Sequence, residues 1–466
     1  MIPGLWISRE SISKKPTKKS SNLLFTAAFA IISLILNITL IGTSSAAVSD
    51  CVLDAPKEQM VSLGKPVALE RLTNKTKVRI GVLPFYFSDG PVKQLSAAQK
   101  AKYEAAAKLI MDLSSTSVKI EMVFLNSFNT GKPASSLKQA YLDRERSYGK
   151  DINKGTWGFV RETIRAADKT TDFTDLDSII LEGNNVDTTY WIAEAMQFFR
   201  GTSGNVFYGA GSDFYRSIET EEGFIDNSIL FDKPRDVGTI AHEIFHNFGL
   251  TDLYGGNGPQ TLSIMDHEGS PNILNYEKAV LGWLPENQVQ CLSMSDLANK
   301  SVNDSIITFN DVRLDQVFIL ENDSQYLILE VVSYFGEPLL IFYEIRTRER
   351  PPLISFSKQA KGMWFENYSF FPSIDLGKEF LISNLVFIIS SIEGNTVTLN
   401  VTRSSNRDSV DYKNLQSDLL NKRNDVIALE QNRVQKAKKS IICLKGSVKK
   451  KITALKPKCP KGYKKK

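Results

Sequence analysis

Histidine is scarce in this sequence, with three residues in 466, and cysteine is nearly as scarce, with four. So few of either, at spacings that fit no zinc finger, exclude a chain built on metal-knuckle repeats or a disulfide-dense scaffold. No Gly-x-Ser-x-Gly elbow follows a strand pattern and no phosphate-binding glycine loop precedes a helix pattern, so serine-hydrolase and nucleotide-phosphate chemistry lack their sequence basis. No internal repeat is visible either. What remains is globular material: 42% of the 466 residues are hydrophobic, too many for a disordered chain. The length exceeds one average core, so two or more folded units are expected.

Lys14, Lys15, Lys18 and Lys19 precede an apolar run over residues 23–41, followed by Ser45-Ala46-Ala47. Charge, length and small residues in this order are the pattern of a secretory signal cleaved after Ala47, with an uncleaved anchor as the alternative. The expected location is extracellular. Outside the cytoplasm an even set of cysteines is read as disulfides, here Cys51 with Cys291 and Cys443 with Cys459.

Charge is unevenly spread. Residues 441–466 hold ten lysines and no acid, and the first 47 residues add four net positive charges, so against an overall +5 the body between them carries about −9. The basic tail therefore acts as a separate device, suited to holding the protein at an anionic cell-surface polymer or lipid headgroups. Nucleic acid is not expected, because the tail shows no aromatic stacking platform.

Along the chain, Lys77–Tyr86 reads as a strand ended by its proline, Ala97–Leu113 as a helix and residues 118–125 as a second strand. Residues 159–167 read as helix, 178–181 as a buried strand and 224–231 as an edge strand, an alternation that predicts a mixed α/β layer. Beyond Cys291 the pattern changes to β-branched and aromatic runs at 305–309, 316–320, 326–332, 339–345, 386–389 and 396–401. The last two flank a Glu393-Gly394-Asn395 turn, and the region reads as all-β, in two packed sheets. Residues 404–440 then read as one amphipathic spacer helix, since Lys422 interrupts the heptad-like series of Tyr412, Leu415, Leu419, Val426 and Leu429.

Two of the three histidines, His242 and His246, stand four residues apart. On a helix they project from one face a turn apart, the separation at which two imidazoles grip one zinc ion. Glu243 sits beside them, placed to take a proton from water on the metal. Gly249 can end the helix in a left-handed turn, after which Asp252 can fold back as third ligand; its plainer reading is a loop acid or helix cap. Two histidines and one carboxylate leave a position open, as in catalytic rather than structural zinc sites.

The run His-Glu-x-x-His-x-x-Gly-x-x-Asp from His242 to Asp252 continues through Leu253-Tyr254-Gly255, Ser263-Ile264-Met265-Asp266, Pro271 and the segment from Asn275 to Trp283. It resembles the immune inhibitor A-like family of secreted bacterial metallopeptidases, within the metzincin-like group. The likeness is dense over residues 236–284 and rests on strand order alone over 76–235. It implies His242, His246 and Asp252 as ligands of one catalytic zinc, Glu243 as general base and Met265 as the apolar floor beneath the metal. The loop between Asp252 and Met265 is short for the family, so no calcium site is assigned.

The fold class expected is α/β (α+β): a zinc metallopeptidase domain with a mixed sheet and an active-site helix, then a β-sandwich-like domain and a helical spacer. The corresponding boundaries are a signal at 1–47, an N-terminal arm at 48–75, a catalytic unit at 76–290, an all-β unit at 291–403, a spacer at 404–440 and a basic tail at 441–466. The activity implied is zinc-dependent hydrolysis of protein or peptide substrates by a monomer; the competing reading is an idle surface or adhesion protein that keeps the fold.

Several roles stay open. His267 could aid the oxyanion or be a solvated loop residue. Tyr254 and Tyr276 could donate a hydroxyl or simply pack. Glu277 is the alternative third ligand. A Cys51 thiolate on the metal would keep the enzyme latent, where a disulfide would not.

Overall fold

The computed structural model describes residues 61, 64–65, 67–147, 154–184, 190–200, 216–253, 262–311, 315–322, 325–334, 337–346, 353–356, 370–371, 376–382 and 384–466. The expected signal, Cys51 with its bridge to Cys291, and Tyr254 lie outside these residues. No helix among the described residues is long and apolar enough to cross a membrane.

The chain is a mixed α/β protein. Its first part alternates β1 (Lys77–Tyr86), α1 (Ala97–Leu113), β2 (Lys119–Phe124), β3 (Phe128–Asn129), α2 (Ser135–Ser147), α3 (Gly155–Ala167) and β4 (Ser178–Glu182). There follow β5 (Ala193–Gln197), a small hairpin of β6 (Ile218–Thr220) and β7 (Gly223–Ile225), β8 (Asn227–Phe231) and helix α4 (Val237–Phe248). The main sheet runs in the order β2-β1-β4-β8-β5, with β3 also paired to β1. All its pairings are parallel except that of β5 with β8.

Strand alternation distributes the core over both faces of this sheet. Val78, Ile80, Val82, Ile180 and Ile229 point to one side, where α1 and α4 pack. Leu83, Phe85, Ile179, Leu181 and Leu230 point to the other, against α3. Strands buried on both faces lose the polar alternation that would distinguish them, and one expectation fails for that reason.

The segment at 224–231 is not an edge strand. It divides into β7 and β8, and β8 lies inside the sheet, entirely buried between β4 and β5. Among the described residues that end of the sheet is β5, whose Ala-Glu-Ala-Met-Gln sequence carries no strand signal. Nor does Pro84 end β1, which continues to Tyr86. There β1 exchanges one neighbour for another, pairing β2 as far as Val82 and β3 from Phe85, so the missing proline N–H falls between two ladders.

Helix α5 (Asn275–Val280) leads to β9 (Val289–Ser293), α6 (Met294–Asn299), β10 (Ile306–Phe309), β11 (Val317–Asn322), β12 (Gln325–Tyr334) and β13 (Glu337–Arg346). After β14 (Leu353–Phe356) and β15 (Phe370–Phe371) come β16 (Glu379–Ile382), β17 (Leu385–Glu393) and β18 (Thr396–Arg403). One sheet is β14-β13-β12-β11-β9, with β15 beside β13; another is β10-β18-β17-β16. Phe318, Leu329 and Phe342 of the first share a core with Phe309, Phe387 and Leu399 of the second. The six-residue α6 is a helical element in a region whose sequence reads as all-β.

The opposite face of the first of these sheets meets α5. Tyr276 N–H and the Tyr343 hydroxyl donate to the two oxygens of Glu330, at 3.2 and 2.9 Å, and Asn275 Nδ2 donates to the Val331 carbonyl at 3.0 Å. Burial lifts Glu330 to about 8, against the effect of these hydrogen bonds. A raised carboxyl binds more protons folded than unfolded, so the contribution of Glu330 to stability is fully present below the ordinary value of 4.5 and is lost as pH rises toward about 8. The contribution of this one group is at most about 1.4 kcal/mol per pH unit. In Glu330→Gln that share of the slope should vanish in denaturant melts between these pH values; an unchanged slope would refute the assignment.

Helix α7 (Val410–Ala437) follows, capped by Ser409, whose hydroxyl accepts from Tyr412 N–H at 3.2 Å. Tyr412 and Leu419 in its first half are buried, Tyr412 against Val302 and Val386, while Val426 and Leu429 in its second half are exposed. The tail forms strands that the sequence pattern does not announce: β19 (Lys439–Lys445), β20 (Val448–Ala454) and β21 (Lys464–Lys465), in the order β20-β19-β21. Cys443 and Cys459 are joined as expected.

Candidate metal centre

Helix α4 begins at Asp236, whose carboxylate accepts from Thr239 N–H at 2.9 Å. Its composition is largely apolar, and every residue from Thr239 to Phe248 is buried, which draws two histidines and a glutamate inside with it. Ile240, Ile244 and Phe248 join the core beneath the sheet. Asn247 Nδ2 donates to Ser178 Oγ at 3.0 Å and so ties the helix to β4.

The helix stops at Gly249, with φ 107°. Gly249 N–H reaches the His246 carbonyl at 2.9 Å and Leu250 N–H the Phe245 carbonyl at 3.1 Å, the paired bonds of a Schellman turn. Glycine is required here twice over, because a Cβ would also stand 2.6 Å from Val67 Cγ1. Beyond the turn, Leu253 N–H donates to the Met265 carbonyl at 2.9 Å, and this fixes Asp252 opposite the histidines.

The two Nε2 atoms of His242 and His246 lie 3.1 Å apart, and Asp252 Oδ1 lies 3.2 and 3.1 Å from them. A tetrahedral metal ion with bonds of about 2.0–2.1 Å spaces its ligand atoms by about 3.3 Å, so this triangle fits one face of such a shell. The histidines are buried, and the Asp252 side chain, 41% exposed, closes the group from the solvent side. These three residues could hold a metal ion.

The donor chemistry supports the fit. His242 Nδ1 is 2.8 Å from the Ile264 carbonyl oxygen, and His246 Nδ1 is 2.8 Å from that of Leu250. A carbonyl oxygen only accepts, so the network assigns the proton to each Nδ1 and a lone pair to each Nε2. Two lone pairs and a carboxylate oxygen thus converge, an arrangement that repels itself unless a cation or proton sits between.

The local field shows the same demand. Burial disfavours the His246 imidazolium, yet the Asp252 carboxylate outweighs it and lifts the group to about 9. The surroundings of Asp252 oppose its ionisation, but the two imidazoles hold its carboxyl well below the usual carboxylate range. Glu243 is 5% exposed and has no hydrogen-bond partner among the described residues; burial pushes its carboxyl up, against the pull of the two histidines.

Met265 is fully buried, and its N–H donates to Ser263 Oγ at 3.1 Å. Ser263 Oγ in turn donates to Glu277 Oε2 at 2.7 Å, which also accepts Leu274 N–H at 2.8 Å. Burial lifts Glu277 to about 7. Glu277 therefore braces the Met265 turn and does not join the metal-binding group. Tyr276 is buried in the core, and His267 is exposed, its Nδ1 accepting Gly269 N–H at 3.0 Å.

The orienting carbonyls of Leu250 and Ile264 were beyond sequence reasoning, because any residue type supplies a carbonyl. The Ser263–Glu277 brace did leave a trace: a glutamate at the third position of a helix commonly returns to the N–H that precedes it.

Gly249→Ala should destabilise the protein by about 2–4 kcal/mol, combining the left-handed backbone penalty with crowding against Val67. It should also weaken metal binding, because Asp252 depends on that turn. Thermal melts and metal titration test both parts, and wild-type values in each would show that the turn does not set the site.

Compared with known proteins, the chain matches no family model and no curated relative.

Proposed function

We propose that this chain is a secreted zinc-dependent endopeptidase of the immune inhibitor A-like type. On this reading residues 76–290 form the peptidase domain and the two sheets after it a β-sandwich-like domain. The observation that carries the proposal is the convergence of His242 Nε2, His246 Nε2 and Asp252 Oδ1 within 3.2 Å of one another, on a helix that also holds the buried Glu243.

His242, His246 and Asp252 would hold the ion, and zinc suits two imidazoles with one carboxylate. When bound, zinc supplies Lewis acidity toward a scissile carbonyl and lowers the pKa of its water. Glu243 takes the proton of the attacking water and later delivers it to the leaving amine, with no covalent intermediate. A carboxyl raised by burial is a stronger base than a solvated one, which favours this role. The carbonyls of Ile264 and Leu250 hold both rings in the metal-binding tautomer throughout.

Strand β5 ends the main sheet among the described residues, and an extended peptide can pair along such an edge. That geometry suits cleavage within a chain rather than at its end.

Metal analysis combined with cleavage of an unstructured protein by the wild type and by Glu243→Gln tests the proposal. Bound zinc with cleavage by the wild type alone supports it. Bound zinc with no cleavage by either protein points to the binding module instead, and absence of zinc refutes the site.

A further inference from the structure

The lysine-rich end of the chain contributes no residue to the metal-binding group. Its three strands pair so that Lys449 and Lys464 flank Leu444, while Lys451 flanks Ile442. Lys466 N–H donates to the Ile442 carbonyl at 2.9 Å on the other side, which completes a second row. Directly paired residues share a face of a sheet, so Lys449, Lys451, Lys464 and Lys466 form two rows on one face, and all four are exposed. Strand spacing places the lysines of one row about 10 Å apart, and the two rows about 7 Å apart along the strands.

Lys450 and Lys465 flank Cys443 on the opposite face. Cys443 is the one buried residue of 439–466, too little core to hold strands together. The Cys443–Cys459 bridge, 16 residues in span, supplies what the core does not, about 3 kcal/mol for such a loop. Like charges across paired strands oppose folding, and no acid in residues 441–466 offsets them. A disulfide that holds such an array in place prepares it for an external polyanion.

We propose that this sheet docks a linear phosphodiester polymer without bases, read through Lys449, Lys451, Lys464 and Lys466. Lysine binds phosphate as a point charge and needs only the right spacing. Two observations weigh against other phosphate-bearing partners. Insertion into a bilayer would call for apolar residues gathered on one face, whereas Ile442, 43% exposed, and Val448, 55% exposed, lie on opposite faces. Single-stranded nucleic acid would require stacking platforms, and Tyr463 is the sole aromatic residue here, half-buried.

The test uses the full chain on immobilised poly(glycerol phosphate). Wild-type affinity should fall steeply with salt, and changing all four lysines to Gln should lower the log–log salt slope by about 3, at roughly 0.7 per phosphate contact. Between 0.1 and 0.5 M salt, loss of those contacts corresponds to about a 100-fold change in affinity. Changing four exposed lysines of the body, Lys108, Lys119, Lys169 and Lys300, to Gln should leave the slope unaltered. Mapping the Cys443–Cys459 bridge in the tail variant shows that its fold persists. The proposal is overturned if the tail variant binds like wild type, if the body variant loses as much, or if retention ignores salt. Tighter binding to phosphatidylglycerol vesicles, or to single-stranded DNA of equal phosphate content, overturns it as well. None of these outcomes depends on peptidase activity, so the docking surface and the metal centre fail or stand separately.

Discussion

Glu243→Gln is expected to slow cleavage of an unstructured protein by about 100- to 10,000-fold, the range over which a positioned general base contributes. Gln keeps the shape of the side chain and removes its capacity to accept a proton. Glu243 is buried on α4 and is not one of the three converging atoms, so metal content should stay at the wild-type level. The fold should not suffer either. Burial already disfavours the Glu243 carboxylate, and a neutral side chain relieves that cost, so the melting temperature should hold or rise. Steady-state cleavage, metal analysis and a thermal melt on one preparation decide the matter. A variant that cleaves like wild type removes Glu243 from the mechanism, and one that loses its metal relocates its role to the site's architecture.

Asp252→Ala should weaken zinc binding by more than about 100-fold, beyond the 10- to 100-fold typical of losing a group that merely orients a ligand. His242 and His246 would remain oriented by the Ile264 and Leu250 carbonyls, so the two Nε2 lone pairs would still face each other with no carboxylate beside them. Asp252 is 41% exposed and its role is local, so stability of the metal-free protein should change far less than metal affinity. The contrast separates a ligand from a structural acid. Glu277→Gln is the natural control, because Glu277 bonds to Ser263 and Leu274 instead of facing the histidine pair. Competition with a chromogenic chelator measures both variants, and equal zinc affinity in wild type and Asp252→Ala would show that the third ligand lies elsewhere.

The sequence by itself determined the elements whose physics is local. The spacing of His242 and His246 places both on one face of a helix regardless of what surrounds them, and the apolar residues between and around them bury that face. Ala97–Leu113 carries its own Ser96 cap, and the Gly394-Asn395 turn sets the β17–β18 hairpin, so both were legible in advance. The pairing of Cys443 with Cys459 followed from their order in the chain.

Tertiary structure decided what depends on distant partners. The Gly249 turn and the return of Asp252 were legible in the sequence, but what holds Asp252 against the histidines, the packing of that turn on Val67 and the Leu253 bond to the Met265 carbonyl, is long-range and no local pattern encodes it. The interior place of β8, expected at an edge, has the same origin: its position is set by β4 and β5 on either side, and a strand covered on both faces shows no alternation. The tautomers of the two histidines rest on backbone carbonyls, which every residue possesses. In the tail, composition announced the charge, but only strand register sorted the lysines onto two faces, because cross-strand pairing is a relation between segments.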